Sequence, residues 1–378
     1  MMRARRAAAA AAALVAGVLL LAACASPSAG GGGADGGAEG DTAPSTTSSV
    51  PLAELSTLDD PKSYEGPSTA VLGHSEIEPV ADNPAQSFPV TVPSYANDGT
   101  STDVTIEQTD SVVAADLGGN ISVTVAGLGF ADSLVGVDQS TTLKSLDGLP
   151  RVTSGGHTVN AEAIIDLHPD VVITDGTVGP RDVIEQLEDV GITVVFVQND
   201  PSFAGAEDLA RQVAAIYGSP EAGEQLADRI ADEVAAKTAE ISQIAPAKPA
   251  DKLRIAFVYL RGTAGVYYLF GKESGADQLI DALGGIDVAT DMGWDGMKPM
   301  TDEALVKANP DLILVMSDGL ESVGGVDGLL EEKPAIAVTT AGERRRFVDM
   351  EDGTVLSFGP RSADILDALA RAVYAPES

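Results

Sequence analysis

Short runs of β-branched and other apolar residues alternate with longer amphipathic segments between about Ser111 and Tyr217. We predict strands over residues 112–115, 134–137, 171–174 and 194–197, and helices over residues 161–167, 180–190 and 206–217. Strands that alternate with helices in this way are typical of parallel βαβ units. Residues 120–129 stay ambiguous between strand and helix, although Val123 and Val125 by themselves favour a strand.

A single long helix is predicted over residues 219–244. Ser219 suits the N-cap and Pro220 the first helical position, and apolar side chains then recur at helical spacing. Pro246 ends this segment, and the alternation begins again with predicted strands over residues 255–260 and 312–316. The pattern therefore divides the body of the chain into two α/β regions joined by one helix.

The two α/β regions share an internal repeat. Residues 160–173 match residues 301–314 without a gap, at a constant offset of 141 residues (303 − 162). Each copy holds a short predicted helix with an early glutamate (Glu162 or Glu303), a Pro-Asp pair and an apolar strand. Such a helix–strand connection is common by itself, but the matched glutamates and the ungapped register favour a repeated lobe. The predicted fold class is α/β, with two similar βα lobes, mainly parallel sheets, one linking helix and a ligand cleft between the lobes.

The amino terminus has the pattern of a secretion signal. Residues 1–6 carry three arginines, residues 7–21 are almost uniformly apolar, and Leu21-Ala22-Ala23-Cys24 follows. This sequence resembles a bacterial lipobox, in which the cysteine receives a diacylglycerol lipid and the chain is cut before it. The alternative is an uncleaved signal anchor with an incidental cysteine, but Cys24 is the chain's single cysteine and lies where the motif requires it.

We therefore divide the chain into five parts: a signal peptide (1–23), a lipid-anchored flexible tether with an N-terminal extension (24–103), an N-terminal lobe (104–218), a linker helix (219–250) and a C-terminal lobe (251–378). Small residues dominate the tether. Little regular structure is expected before Phe88, after which a hairpin pairs residues 88–92 with 104–106.

Charge and missing motifs exclude several classes of function. The chain has 57 acidic and 23 basic residues, and this net charge of -34 argues against nucleic-acid binding. No G-x-S-x-G motif or P-loop is present, and the G-x-G-x-x-G match at Gly31, Gly33 and Gly36 lies in low-complexity sequence. After the signal, no stretch approaches about 20 apolar residues, which predicts a soluble body.

Four phrases resemble the substrate-binding lipoproteins of bacterial ABC importers, in the helix-linked class that carries haem, iron-siderophores or cobalamin. They are Leu134-Val135-Gly136-Val137-Asp138, residues 162–173, Gly191-Ile192-Thr193-Val194-Val195 and residues 303–314. The resemblance covers roughly residues 104–374. Two further phrases, Ser154-Gly155-Gly156-His157 and Tyr259-Leu260-Arg261, are most similar to the haem-binding members.

The resemblance implies that Fe(III) haem is the transported ligand and that His157 and Tyr259 bind its iron from opposite lobes. Phenolate and imidazole are both known axial ligands of haem iron. In the family, an arginine in the position of Arg261 hydrogen-bonds the ligating tyrosine, and a nearby cation favours the phenolate. Either residue alone would more often be an ordinary packing tyrosine or a polar surface histidine, so the prediction depends on the combination.

Other residues are predicted at the ligand cleft and at its exterior. Met316 and Trp294 are candidate haem contacts, with Tyr267, Tyr268 and Met297 as further lining residues, although gap filling or ordinary burial explains a methionine or a tryptophan equally well. The resemblance also implies that Glu162 and Glu303, one per lobe, dock onto arginines of the ABC permease. Both could instead be solvated acids of a first helical turn.

The expected protein is a monomeric, non-enzymatic binding protein, lipid-anchored at the extracytoplasmic face of the cell membrane. Alternative ligands on the same fold are a ferric-siderophore or cobalamin. A second alternative is a lipid-tethered enzyme or adhesion module built on the same lobes.

Overall fold

The computed structural model describes residues 45–46, 50–96 and 99–376. The predicted signal peptide, Cys24 and most of the predicted tether lie outside the described residues. Within the described part, no helix has both the length and the apolar character needed to cross a membrane.

The described strands are short and are concentrated in two sheets. In chain order they are β1 (Ser45–Thr46), β2 (Ser68–Ala70), β3 (Val90–Tyr95), β4 (Ser101–Ile106), β5 (Val112–Ala115), β6 (Leu134–Val137), β7 (Thr153–Ser154), β8 (Thr158–Val159), β9 (Val171–Thr174), β10 (Thr193–Phe196), β11 (Arg254–Arg261), β12 (Val266–Phe270), β13 (Ile286–Asp287), β14 (Met297–Pro299), β15 (Leu312–Met316) and β16 (Phe347–Met350).

The described α-helices pack on the faces of these sheets or join them. In chain order they are α1 (Asn120–Leu128), α2 (Ala161–Leu167), α3 (Arg181–Asp189), α4 (Phe203–Ile216), α5 (Pro220–Ile244), α6 (Ala276–Ala282), α7 (Val288–Asp291), α8 (Asp302–Ala308), α9 (Ser317–Glu321), α10 (Gly325–Glu332), α11 (Pro334–Ala337), α12 (Thr340–Glu343), α13 (Asp352–Val355) and α14 (Ser362–Tyr374).

The N-terminal lobe contains a four-stranded, fully parallel sheet in the order β10-β9-β5-β6. Three of its predicted strands are confirmed at both ends, and the fourth is displaced by one residue. The ambiguous segment is the helix α1, which is buried on all sides. The buried Asp116 carboxylate accepts hydrogen bonds from the backbone N–H groups of Asn120 and Ile121, and this cap overrides the β preference of the valines.

The C-terminal lobe contains an eight-stranded mixed sheet in the order β1-β2-β16-β15-β11-β12-β14, with β13 also paired to β11. Its centre is parallel, whereas β12 and β14 are antiparallel additions beyond β11. One apolar cluster fills the side of this sheet that faces α5 and α14 and continues into the N-terminal lobe. A second cluster fills the other side of the sheet.

The linker helix α5 begins at Pro220 and ends at Ile244, as the sequence predicts. Ser219 occupies the N-cap position, although its side chain makes no capping hydrogen bond. One face of α5 packs on α4, and its C-terminal half packs on α14 of the other lobe. The same helix therefore contributes to the core of both lobes.

The internal repeat extends to the ends of its helices. Asn160 and Thr301 both cap the helix that follows by accepting a backbone N–H three residues on, at 3.1 and 3.2 Å. His168 and Asn309 both end those helices in the left-handed conformation. Each pair is separated by the same 141 residues that separate the matched glutamates (309 − 168). The duplication predicted from the sequence is therefore present in the local backbone geometry.

The N-terminal extension is attached to both lobes, which the sequence pattern did not predict. Its strand β2 pairs in parallel with β16 at the edge of the C-terminal sheet. The buried Arg346 holds this region, because its guanidinium donates to the Ser68 hydroxyl at 2.9 Å and to the Ala372 and Val373 carbonyls that end α14. Further along, Val80 donates to the Gly127 carbonyl of the N-terminal lobe. The extension thus forms a second connection between the lobes, in addition to α5.

Candidate functional site

Acidic residues directly follow three parallel strands of the N-terminal lobe. Asp116, Asp138 and Asp175 come after β5, β6 and β9, so they lie at the carboxyl edge of the sheet, where open α/β folds bind their ligands. Burial raises the pKa of Asp116 well above its ordinary value, and the charge of Asp175 raises it further. This edge is therefore lined by polar, acidic side chains, of which Asp116 has a raised tendency to hold its proton.

Asp138 holds the predicted ligand His157. The Asp138 side chain is fully buried, and its carboxylate oxygens lie 3.1 and 3.2 Å from Nδ1 of His157. The same carboxylate accepts the Thr153 hydroxyl at 2.5 Å and the Ser140 backbone N–H at 2.7 Å. Because a carboxylate only accepts hydrogen bonds, Nδ1 of His157 carries a proton, and in the neutral imidazole the lone pair is then on Nε2. An imidazole oriented in this way is ready to bind a metal through Nε2.

The short hairpin β7–β8 presents His157 at its tip. Gly155 and Gly156 precede the histidine and have positive φ angles of 45° and 85°, and His157 itself has a φ of 63°. A side chain rarely adopts this backbone conformation without other constraints, and here the Asp138 hydrogen bonds supply one. The His157 side chain keeps 20% of its surface exposed, so it remains accessible from the cleft side.

Tyr259 lies near the end of β11, directly opposite Tyr268 of β12. Both side chains pack against the apolar cluster shared by the lobes, and each is partly exposed. The Tyr259 ring stacks on Phe270 with 6.2 Å between the ring centroids. Met297 pairs with Phe270 from β14 and is 52% exposed, so it extends the same face of the sheet. The C-terminal lobe therefore offers a tyrosine surrounded by apolar and aromatic side chains.

Arg261 lies beside the Tyr259 ring and not at its hydroxyl group. The guanidinium carbon is 4.7 Å from the ring centroid, and the side chain donates to Asp352 at 2.5 Å and to the Leu260 carbonyl at 2.9 Å. The family pattern implied a hydrogen bond to the tyrosine hydroxyl, and the structure replaces it with this cation–π contact. Asp352 draws the guanidinium away from the hydroxyl, while the i, i+2 spacing keeps it on the same face as the ring.

A short series of contacts connects the two halves of the site. The Ser140 backbone N–H binds Asp138, and the Ser140 carbonyl lies 2.9 Å from the position that a side chain on Gly353 would take. Gly353 follows Asp352, the partner of Arg261. The lobes therefore meet closely between Asp138, which holds His157, and Asp352, which holds Arg261.

The other predicted contacts have different surroundings. Met316 is 9% exposed at the end of β15 and belongs to the shared apolar cluster. Trp294 is half-buried and packs on the cluster at the other side of the sheet from Tyr259. Tyr267 also points to that other side, where burial, followed by the charge of Glu332, raises its pKa to about 12. Tyr268 and Met297 are thus closer in orientation to Tyr259 than Tyr267 and Trp294 are.

Asp138, Asp352 and Leu117 are candidate site residues that sequence reasoning missed. Asp138 ends the phrase that begins at Leu134, and its place directly after a parallel strand is the signal that could have assigned it a role. Leu117 comes two residues after β5 and is 50% exposed, so it is an apolar side chain at the carboxyl edge of the N-terminal sheet. Asp352 gave no signal, because its partner Arg261 lies 91 residues away in the sequence.

The predicted docking residues Glu162 and Glu303 are exposed in the first turns of α2 and α8. Each helix precedes a strand of the parallel part of its sheet, so its N-terminus lies towards the carboxyl edge of that sheet. The two glutamates therefore occupy corresponding places near the cleft side of their lobes.

Comparison with known proteins gives consistent matches over most of the chain. The heme binding protein HmuT has a similar crystal structure, with a TM-score of 0.76 and 40% identity over 84% of this chain and 99% of that chain. Other HmuT structures include variants with alanine in place of an arginine, a histidine or a tyrosine. The periplasmic heme-binding protein RhuT from Roseiflexus sp. RS-1 gives a TM-score of 0.64 and 34% identity over 71% of this chain and all of that one.

A curated relative and a family model agree with the structural matches. The uncharacterized ABC transporter substrate-binding lipoprotein YvrC of Bacillus subtilis (strain 168) is 28% identical over 298 residues, which is 78% of this chain and 88% of YvrC. The family model described as periplasmic binding protein matches residues 115–353, which include β6, both glutamate helices and β11. The chain therefore belongs to the periplasmic binding protein family, a family of binding proteins and not of enzymes.

Proposed function

We propose that this protein captures ferric haem between its two lobes and delivers it to an ABC permease. Its fold matches that of proteins described as heme-binding, at 34–40% identity and over most of the chain. The observation that carries the proposal is the pairing of His157 with the buried Asp138, because it occupies Nδ1 and makes Nε2 of the neutral imidazole the nitrogen that can bind iron. Tyr259 supplies the second protein ligand from the C-terminal lobe.

The surroundings of Tyr259 suit a bound phenolate. When haem is present, its iron supplies the Lewis acid that this oxygen binds. The Arg261 guanidinium, held by Asp352, adds a positive charge beside the ring. The HmuT variants replace an arginine, a histidine and a tyrosine, which are the residue types of Arg261, His157 and Tyr259.

The faces of the porphyrin would pack against apolar side chains. Leu117 lies at the carboxyl edge of the N-terminal sheet, and Tyr268 and Met297 lie on the Tyr259 side of the C-terminal sheet. Met316 and Trp294 stay predicted contacts, with Trp294 requiring a loop movement to leave its present cluster. Flat, largely apolar surfaces with a few oriented polar groups are characteristic of cofactor-binding sites.

A ferric-siderophore receives less support, because several arginines outside the predicted helices are already engaged. Arg346 is buried and its pKa is lowered to about 10 by that burial, while it holds α14 and Ser68. Arg361 donates to Thr142 across the lobes, and Arg151 donates to the Asp138 carbonyl. An anionic chelate usually needs several available cations, and these arginines have other roles.

The proposal includes a membrane anchor at Cys24 and docking through Glu162 and Glu303. YvrC is named a lipoprotein, and the Leu21-Ala22-Ala23-Cys24 motif supports a diacylglycerol lipid on this chain. A monomer attached in this way would work at the extracytoplasmic face of the cell membrane. Its glutamates would bind basic residues of the permease and set the orientation of docking.

Titration with hemin tests the ligand and its two protein donors. The wild-type protein should give a ferric Soret spectrum with the features of tyrosine ligation. Tyr259→Phe should abolish those features, and His157→Ala should change the spectrum to that of a haem without the imidazole. Matched controls are Tyr268→Phe, which changes the neighbouring tyrosine on the same sheet face, and His168→Ala, which removes an exposed histidine that also has a positive φ. If all four variants give the wild-type spectrum, the assigned ligands are wrong.

A further inference from the structure

Two exposed apolar residues lie at matching places in the internal repeat. Among the described residues, seven large hydrophobic side chains are classed as exposed, and these include Ile165 at 37% and Val306 at 47%. They are separated by the 141 residues of the repeat (306 − 165). Adding or subtracting the same offset from the other five leads to glycine, serine, glutamate or a buried valine. The match at Ile165 and Val306 is therefore specific to the two glutamate helices.

Each apolar residue lies on the same helix face as a glutamate. Ile165 follows Glu162 by three positions in α2, and Val306 follows Glu303 by three in α8, so each pair is adjacent on the helix surface. The face of each helix that is turned towards the core is occupied by Ile164 in α2 and by Leu305 in α8, which are both buried. Ile165 and Val306 are therefore not needed for the packing of their own lobes.

We infer that these two faces, Glu162 with Ile165 and Glu303 with Val306, form one duplicated docking surface for a two-fold symmetric membrane permease. This inference rests on the proposed function and adds the apolar half of the contact. Two equivalent faces on one chain fit a partner that presents the same surface twice. Each partner surface would carry a basic residue for the glutamate and, one helical turn away, an apolar pocket for the isoleucine or valine.

The glutamate and the apolar residue of each pair should contribute differently to docking, because one side chain is charged and the other is apolar. An exposed glutamate steers association and sets orientation, but a solvent-exposed ion pair contributes little affinity. Removing an apolar side chain from water on docking contributes more, and such contacts form the centre of protein interfaces. The apolar residues should therefore control how long the complex lasts, while the glutamates control how fast it forms.

The experiment measures haem uptake by the native host carrying full-length lipoprotein variants, together with hemin titration of the same purified proteins. The double variant Ile165→Asp with Val306→Asp should lower uptake roughly tenfold or more, since central interface residues commonly carry at least that much. The hemin spectrum and the melting temperature should stay at the wild-type values. Val190→Asp and Val338→Asp are matched controls, because these valines are 60% and 61% exposed and have no exposed counterpart in the repeat.

Cross-linking from a photoreactive amino acid at position 165 or 306, and at control positions 190 and 338, identifies the partner. Adducts with an ABC permease subunit from positions 165 and 306 alone would support the inference. Wild-type uptake by the double variant, or equal adducts from the control positions, would overturn it. Failure of hemin binding in the wild-type protein would instead remove the proposed ligand, and the cross-linking result would still report on docking.

Discussion

The two lobes are alike where the chain is duplicated and differ where the candidate ligand residues lie. Ala115, the last residue of β5, pairs with Thr174, and Val258 of β11 pairs with the matching Val315, but β11 continues to Arg261 and pairs there with β12. Tyr259 is thus on a part of the strand that the other lobe lacks. His157 lies on the hairpin β7–β8, whereas the matching position in the C-terminal lobe is Lys298 of β14.

This difference separates two roles within one fold. The repeated helices and strands supply the rigid scaffold and the exposed faces with Glu162 and Glu303. The additions to the repeat supply the candidate haem ligands, each with its own support: a fully buried carboxylate for His157 and a partly exposed ion pair beside Tyr259. Loss of Asp138, which holds His157, should therefore affect folding strongly. Loss of the ion pair between Asp352 and Arg261 should affect mainly ligand binding.

The largest expected effect is that of Asp138→Ala, which removes the carboxylate that holds His157. Removing this acceptor leaves the Ser140 N–H and the Thr153 hydroxyl unsatisfied, at a cost to folding of about 3 kcal/mol. Losing the His157 orientation should also weaken hemin binding by roughly 10- to 100-fold. Urea unfolding and hemin titration measure the two effects. Asp138→Asn keeps the shape and one acceptor, so a loss as large as that of alanine would argue against this account.

Gly353→Ala tests the junction between the two supports. A methyl group there would lie 2.9 Å from the Ser140 carbonyl and 3.3 Å from the Thr142 side chain, so the lobes must shift apart. We expect a loss of about 2 kcal/mol in the free energy of unfolding, with weaker hemin binding. Gly148→Ala is the control, since a side chain at that position meets nothing within 4 Å. Equal stability of the two variants would show that the junction is not tight.

Asp352→Asn should affect binding more than folding. The variant weakens the ion pair with Arg261, whose side chains are 19% and 32% exposed, so the loss of stability should be about 1 kcal/mol. Arg261 is then free to leave the Tyr259 ring, and the tyrosine features of the hemin spectrum should be weaker than in the wild-type protein. An unchanged hemin spectrum would contradict a role for this pair beside the ligating tyrosine.

The smallest expected effect concerns Asp116 and the pH dependence of stability. Burial raises the folded-state pKa of Asp116, so the folded protein holds this proton when the unfolded chain has lost it. Its contribution to stability is present at low pH and is lost as pH rises through the raised pKa. The side chain of Asp116→Asn does not ionise, so the variant does not lose stability in this way. The melting temperature of the variant minus that of the wild type should therefore increase as pH rises. The same pH dependence of melting temperature in both proteins, across the acidic and neutral range, would rule out this role.

Local patterns predicted the scaffold well, because its elements are set by short-range chemistry. The strands after Ser111 have apolar runs of the right length, and the Pro-Asp pairs at Pro169 and Pro310 mark where helices end and strands begin. The residues of the site that the sequence could indicate were those with a family phrase, His157 and Tyr259 with Arg261.

The parts that could not be predicted depend on contacts between distant segments. The pairing of β2 with β16 joins residues about 280 positions apart, and no local pattern in Ser68–Ala70 specifies it. The Arg261 side chain selects Asp352 and the tyrosine ring, which depends on where α13 lies after folding. Asp116 decides between strand and helix for α1 through a buried cap that propensity alone cannot reveal.

The second connection between the lobes changes how they can move. A body held at one point can swivel in any direction, but a body held at two separated points can turn only about the line that joins them. The segment from β2 to Val80 adds a second attachment to that of α5. Rotation about the line that joins the two attachments is therefore less restricted than twisting of one lobe against the other, which would displace His157 relative to Tyr259.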